Sequence, residues 1–336
     1  MAHRQHRVTR ITSGSPQTFV LGRVGVDLYP LQIETLLEEV QTFERFVGGF
    51  AGNVATGLAR LGVRVAILSA VGDDGHGRFV RRFLSDEGVE VAWLRTHPAL
   101  RTALAFCEVW PPDRFPITFY RTPTCPDWEL RPDDLPLDLL ATALVLYVSG
   151  TGLAREPSRS TTHAALAQRA RPGATAQAGV FATILDLDWR EVLWESAAVY
   201  AAEIRRAACC CTILLGGASE FAAARLDPAE ALTLGPDLVV VKRGPDGAVL
   251  IDRTGRTHVP GLPVPVVNGL GAGDAFAAGF GAGLLAGLDP RAAVARANAA
   301  GAIVASRLSC STAMPRPWEI DAVLAGARIT DGIVEQ

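Results

Sequence analysis

The run Gly269-Leu270-Gly271-Ala272-Gly273-Asp274-Ala275-Phe276 places a carboxylate directly after three small residues, where an apolar helix from Asp274 to about Leu285 is expected to begin. Read as a tight turn leading into a helix, it points the backbone N–H groups of Gly271, Ala272 and Gly273 outward at a helix N-terminus, where unsatisfied donors and the helix dipole favour negative charge. Asp274, in the first turn, is then placed to take a proton from a substrate hydroxyl while those amides stabilise charge on a transferring phosphoryl group. The same residues also suit an ordinary aspartate capping a glycine-flanked helix, and the local sequence leaves both readings open.

Other chemistries lack their anchors. No G-x-x-x-x-G-K-[ST] run occurs, and the G-x-G-x-x-A at Gly281 is expected inside a helix instead of after a strand. Neither G-x-S-x-G nor H-E-x-x-H is present. Cysteines at 107, 125, 209, 210, 211 and 310 show no C-x-x-C spacing and no metal-ligand pattern, so they read as reduced, cytosolic and mostly structural. A formal net charge of −3 gives no global basic field, which argues against a nucleic-acid partner. The best apolar run, Leu139 to Val148, is far shorter than the roughly 18 residues of a membrane span, and the first residues lack the apolar middle of a secretory signal. A soluble, cytoplasmic protein with no membrane partner is expected.

These residues need strand ends and helix starts to position them, and the chain supplies them in βαβ rhythm. Strands are predicted over Phe19–Asp27, Val63–Ala70, Ala143–Val148, Thr183–Asp188, Thr212–Leu215 and Leu238–Lys242, with helices over Gly52–Leu61, Gly77–Gly88 and Ser158–Arg169. Extra strands fall near Leu104–Val109 and Ile117–Arg121, a hairpin over Ala248–Val259, and two long helices close the chain. With 49% hydrophobic residues in 336, the chain can bury a large core. The expectation is one α/β domain over 18–329, a mostly parallel central sheet with helices on both faces. Residues 1–17 are expected as a flexible tail and Arg171 to Gly179 as a surface connection. In such a sheet, ligands bind beyond the carboxyl ends of the strands.

Two signatures then give a resemblance. Gly48-Gly49-Phe50-Ala51-Gly52-Asn53 resembles the first signature of the ribokinase-like (PfkB) carbohydrate kinases, and the turn ending in Asp274 resembles the second. The similarity runs from about Phe19 to Leu324. Within the family, Gly25-Val26-Asp27-Leu28-Tyr29-Pro30, Pro111-Pro112-Asp113-Arg114-Phe115-Pro116 and Ala305-Ser306-Arg307-Leu308-Ser309-Cys310 look like a branch that phosphorylates an acid sugar in inositol breakdown. The kinases of 2-keto-3-deoxygluconate are the alternative.

The resemblance implies ATP and magnesium as cofactors, leaves open a monovalent cation such as potassium, and implies a small β lid from strands near 25–50 and 102–122, through which a homodimer is expected. Asp27, with Gly48, Gly49 and Asn53, would hold sugar hydroxyls; a turn aspartate before Pro30 is the plainer reading of Asp27. Arg121 would meet the substrate carboxylate and Arg190 the substrate or the phosphoryl group, unless both are solvated strand-end charges. Lys242, Gly244, Gly247, Asn268 and Asn298 would border the nucleotide, together with Gly271 and Gly273, and Asp274 would be the base. Two departures stand out. Asn268-Gly269 replaces the family's Asp-Thr, and Gly217 stands where an N-x-x-E segment has asparagine. Glu220 of that segment, linked to magnesium, is retained. A non-catalytic sugar or nucleotide sensor on the same fold is the reading of a different class.

Overall fold

The computed structural model describes residues 16–170 and 180–335. The stretch 171–179 and nearly all of the tail expected over 1–17 lie outside them. Order begins before Thr18, since Gln17 already donates its amide to Arg64 O at 2.9 Å.

Thirteen strands carry the architecture: β1 (Thr18–Leu21), β2 (Gly25–Pro30), β3 (Phe43–Gly48), β4 (Val65–Gly72), β5 (Leu94–His97), β6 (Leu104–Cys107), β7 (Ile117–Tyr120), β8 (Val145–Ser149), β9 (Ala182–Asp186), β10 (Ile213–Gly217), β11 (Leu238–Lys242), β12 (Ala248–Asp252) and β13 (Gly255–Val259). Nine form one sheet in the order β13-β12-β11-β10-β9-β8-β1-β4-β5. It is parallel from β5 to β11, and only the β11-β12-β13 edge is antiparallel. The strands are apolar almost throughout because both faces are covered, as parallel sheets require.

Alternate residues feed two cores. Val20, Ile67, Tyr147, Ile184, Leu215 and Val240 face helices α1 (Phe50–Arg60), α2 (Gly75–Asp86), α7 (Ala272–Leu285) and α8 (Pro290–Ala305). Phe19, Leu68, Leu146, Leu185, Leu214 and Val239 face the opposite layer, built around α3 (Leu137–Thr142), α4 (Ser158–Arg169), α5 (Ala197–Ala208) and α6 (Ala218–Ala223). The chain does not end on two long helices: a short α9 (Pro317–Leu324) and a two-stranded ribbon follow α8. These cover the back of α8 with Ile320, Val323 and Val334.

The four remaining strands make a separate sheet, β3-β2-β6-β7, the expected lid. One face points inward through Ala105, Cys107, Ile117 and Phe119. On the other, Phe106 stacks edge-on against Phe43 and Tyr120, with ring centroids 5.3 and 5.2 Å away.

The packing of α7 on the sheet is close enough to be tested. Tyr147 OH, on β8, donates to Ala277 O at 2.7 Å inside the core, and a Cβ added at Gly281 would lie 1.8 Å from that hydroxyl oxygen. Gly281→Ala is expected to cost about 1–3 kcal/mol by overpacking. Adding Tyr147→Phe should cost less in that background than in the wild type, because the two changes share one contact; denaturant titrations of the four proteins read the coupling.

Candidate active site

The carboxyl ends of β1, β8, β9, β10 and β11 converge on the lid and on the N-terminus of α7, leaving two adjoining cavities. The smaller, of about 380 Å³ including its mouth, is lined by Arg23, Asp27, Tyr29, Gly49, Asn53, Cys107, Phe119, Arg190, Gly271, Asp274 and Cys310, among others. The larger, about 1240 Å³, is bordered by Lys242, Gly244, Gly247, Ala272, Gly273 and Asn298, an apolar wall of Leu262, Val264 and Val266, and Pro112, Asp113 and Phe115 of the lid loop. Leu270 lines both.

Asp274 sits at this boundary. Gly271 adopts φ 81°, a left-handed conformation suited to glycine, and turns the chain into α7 so that Asp274 falls in its first turn. A Cβ at Gly271 would also approach Cys310 Cβ and Sγ to 2.8 Å. Of the three amides expected to point outward, that of Ala272 leans back toward Gly269 O at 3.4 Å, a long and weak bond.

Asn53 Nδ2 donates to Asp274 Oδ2 at 2.7 Å, while Asn53 Oδ1 is buried without a partner. That oxygen is an acceptor waiting for a donor. The carboxylate of Asp27, on β2, has no hydrogen-bond partner among the described residues. It stands over Gly48, where a Cβ would strike its Oδ2 at 1.9 Å. Gly49, at φ 86°, starts α1 and lies against Arg23 O. Burial raises the pKa of Asp27 to about 6, opposed by Arg23 and reinforced by Asp274. Burial also raises Asp274 to about 6, with Asp188 adding to the rise and Asn53, Arg190 and Arg23 opposing it.

Behind them runs a buried charge network that the sequence did not reveal. Arg23 donates from Nε to Thr151 Oγ1 at 2.9 Å and from Nη2 to Asp188 Oδ2 at 3.2 Å. Arg190 donates from Nε to Asp188 Oδ1 at 3.2 Å. Burial would raise Asp188, but Arg23, then Arg190, outweigh it and hold its carboxyl below the usual range. Arg23 has no motif neighbour, and its partner lies 165 residues away, so no sequence signal marks it. Cys107 and Cys310 line the smaller cavity beside Tyr29, whose hydroxyl is 2.8 Å from Cys310 Sγ.

Several expected residues stand elsewhere than the sequence suggested. Arg121 is not a solvated strand-end charge. It is buried, paired with Asp127 at 2.7 Å, and borders a small annex of the cavity instead of the cavity proper. Asn268 borders neither cavity; its amide donates to Leu308 O and its Oδ1 accepts from Leu270 N at 3.0 Å, so it shapes the turn from behind. Lys242 borders the larger cavity with its ammonium held by Asp186 at 2.9 Å. Burial would lower Lys242, but Asp186 and Glu220 outweigh it and raise it. Asn298 donates to Pro260 O at 2.9 Å and closes the rim.

Glu220 has both oxygens engaged, Oε2 by Gly217 N at 2.6 Å and Oε1 by Trp189 N at 3.1 Å. Among the described residues no three His, Cys, Asp or Glu side chains are grouped to hold a metal. Gly217 has nothing nearer than 3.6 Å to an added Cβ, so packing does not explain the missing asparagine. No helix of the described residues is long and apolar enough to cross a membrane.

A covered sheet, a separate β lid, and a buried carboxylate at a glycine-rich helix start between two cavities define a sugar-kinase architecture. The profile of the pfkB family of carbohydrate kinases matches residues 16–317, and the chain belongs to that family. It is 34% identical over 319 residues to a 5-dehydro-2-deoxygluconokinase of Geobacillus kaustophilus, covering 91% of this chain and 93% of the relative. The Bacillus subtilis protein of that name is 30% identical over 319 residues, with 90% and 94% covered. Among solved structures, a Vibrio cholerae fructokinase double mutant bound to fructose, ADP and potassium matches with TM-score 0.79 at 29% identity, covering 93% of this chain and 99% of that one. Salmonella enterica aminoimidazole riboside kinase, complexed with its riboside and an ATP analogue, matches at 0.76 and 27%, covering 92% and 99%.

The raised pKa of Asp274 makes its charge a burden on the fold. A carboxylate with a folded value near 6 and an ordinary value of 3.8 loses stability as pH rises between the two. Asp274→Asn is expected to melt at a higher temperature than the wild type above pH 6, with the gap shrinking toward pH 4; thermal scans across that range check it.

Proposed function

We propose that this carbohydrate kinase phosphorylates the terminal hydroxyl of 5-dehydro-2-deoxy-D-gluconate with ATP. The observation that carries the substrate is the 34% identity, over more than nine-tenths of both chains, to a relative of that name.

The smaller cavity takes the sugar and the larger takes the nucleotide. Asp27 and the unpartnered Oδ1 of Asn53 accept hydroxyl donors of the sugar, and Gly48 and Gly49 leave room for them. Asp274 removes the proton of the terminal hydroxyl, whose oxygen forms a bond to the γ-phosphorus of ATP as the bond to the bridging oxygen breaks and ADP departs. The amides of Gly271 and Gly273 at the start of α7, with Arg190, face the charge that develops on the transferring group. Gly244, Gly247 and Asn298 border the nucleotide, and the ammonium of Lys242, held by Asp186, lies beside Gly273 at the phosphate end. The lid excludes water, the competing acceptor.

Turnover measured by ADP release from magnesium-ATP is expected with 5-dehydro-2-deoxygluconate and not with ribose or fructose. Preference for 2-keto-3-deoxygluconate would keep the mechanism and replace the substrate. ATP binding without turnover of any sugar would favour a sensor. Because Asp274 must be ionised, kcat/KM should fall on the acid side with a midpoint near pH 6, a value belonging jointly to Asp274 and Asp27. Asp274→Asn should lose most turnover, about 1000-fold, and an unimpaired variant would remove the base assignment.

The outer lid face supports a homodimer. Tyr120 is 60% exposed there, beside Phe106 and Phe43, and Leu31, Ile33 and Leu36 are also exposed. Sedimentation at micromolar concentration should give a dimer, and Tyr120→Glu should give monomers. A wild-type monomer would rule this interface out.

A further inference from the structure

We infer that the tip of the loop between β6 and β7 belongs to the nucleotide site, and that the carboxylate of Asp113 receives the two ribose hydroxyls of ATP. This rests on the kinase reading above and names the group that recognises the sugar of the nucleotide.

The loop is built to hold one shape. Beyond the last ladder pair of the lid, Cys107 with Ile117, Glu108 N donates to Pro116 O at 2.9 Å, and Trp110 and Arg114 exchange both backbone hydrogen bonds at 3.0 Å. Pro111, Pro112 and Asp113 are left as the tip. Its two prolines have fixed φ angles and no N–H to satisfy, so the tip gives up little freedom when a ligand arrives. The Trp110 indole donates to Glu108 Oε2 at 3.0 Å, and the Arg114 guanidinium lies over its ring, 5.2 Å from the centroid. Phe115 then pins the loop to the turn before α7. It packs with Leu270 against the cluster of Tyr29, Cys107 and Cys310, and its ring would meet a Cβ at Gly269 at 2.9 Å. The tip thereby reaches the larger cavity, which it borders with Pro112 and Asp113.

Asp113 is the only carboxylate among the described residues on that wall, and its exposed side chain makes no hydrogen bond or ion pair with any of them. A carboxylate is an unfavourable neighbour for a triphosphate, since like charges repel. The order of the wall avoids that conflict. It runs from the apolar residues Leu262, Val264 and Val266, which suit a flat base, through Gly269 to Gly273, where an added Cβ would lie 3.5 Å from the Lys242 ammonium at the phosphate end. The lid loop meets this wall at Gly269, between the two ends. The part of ATP that lies between base and phosphates is the ribose, whose neighbouring hydroxyls are two O–H donors, and a carboxylate offers two oxygens that only accept. Of the other polar side chains there, Lys242 has no acceptor to offer, and Asn298 is tied by its Nδ2 to Val259 O and Pro260 O. Since the same lid covers the smaller cavity with its inner face, one rigid piece touches both substrates.

Calorimetry at low and at saturating magnesium tests the contact, with ATP, 2′-deoxy-ATP, 3′-deoxy-ATP and 2′,3′-dideoxy-ATP titrated into the wild type and into Asp113→Ala. The wild type should bind ATP about tenfold or more tightly than the dideoxy compound, with the two single-deoxy compounds between them, as the loss of bonds to a charged acceptor predicts. Asp113→Ala should bind all four alike and match the wild type's affinity for the dideoxy compound within twofold; the residue is exposed, so the substitution leaves the core untouched. Equal wild-type affinity for ATP and the dideoxy compound, or a preference that survives in Asp113→Ala, overturns the assignment. So does a weakening toward all four nucleotides that saturating magnesium restores, because the carboxylate then serves the metal. The titrations need no turnover, so they judge the contact whichever sugar is phosphorylated. A wild type that binds none of the nucleotides refutes the kinase reading and this inference together, whereas ATP-dependent turnover with no ribose preference refutes only the role of Asp113.

Discussion

Everything at this site depends on how closely α1 and α7 approach. The hydrogen bond from Asn53 to Asp274 joins residues 221 positions apart, and it forms only because small residues line the helix contact. A Cβ at Gly57 of α1 would come within 2.7 Å of Ala278 Cβ on α7. Since α1 begins where lid strand β3 ends, at Gly49, this one contact ties the lid, the start of α1 and the turn before Asp274 into a single unit. The lid loop reinforces it from the other side, where the Phe115 ring would meet a Cβ at Gly269 at 2.9 Å. The two cavities therefore share a wall made of both lid and turn.

The electrostatics follow from that closure. Burying Asp27 and Asp274 together raises both pKa values, and neither carboxylate has a cation in direct contact. The arginines that temper them are themselves anchored to Asp188 and Asp127. The site is thus a set of charges held slightly apart, each stabilised from behind and left unsatisfied in front, which is the arrangement expected where polar groups are kept ready for a ligand.

The fold was largely legible in the sequence because its signals are local. Apolar runs marked β4, β8, β9, β10 and β11 to within a few residues, and the Gly271–Asp274 turn announced a helix start, but the run expected as one strand over Phe19–Asp27 divides into β1 of the main sheet and β2 of the lid, and the short edge strand β5 was not expected at all. The shallow reading of α7 was late by two residues, since the helix begins at Ala272. What stayed hidden depends on pairings across the chain. Arg23 is one residue between Gly22 and Val24 until β1 and β9 bring it to Asp188. Arg121 reads as a strand-end charge until Asp127 folds back on it. Asn268 and Glu220 carry motif positions, yet hydrogen bonds to Leu308, Leu270, Gly217 and Trp189 occupy their polar atoms. Spacing reveals which residue types are near one another in sequence, but not which of their atoms remain unspent.

The composition of α7 has a consequence for how such a protein can change over generations. Its sequence, AGDAFAAGFGAGLL, is dominated by residues with little or no side chain, and added Cβ atoms at Gly279, Gly281 and Gly283 would lie 3.1, 1.8 and 3.0 Å from Ala297, Tyr147 and Ala293. Glycine is a poor helix former, so this helix persists through its surroundings and not through its own propensity. It is closed to enlargement along most of its length. Mutational drift that alters which sugar is accepted is thereby channelled away from the helix bearing Asp274 and into the lid strands and the β1–β2 segment, where side chains can exchange without moving the base.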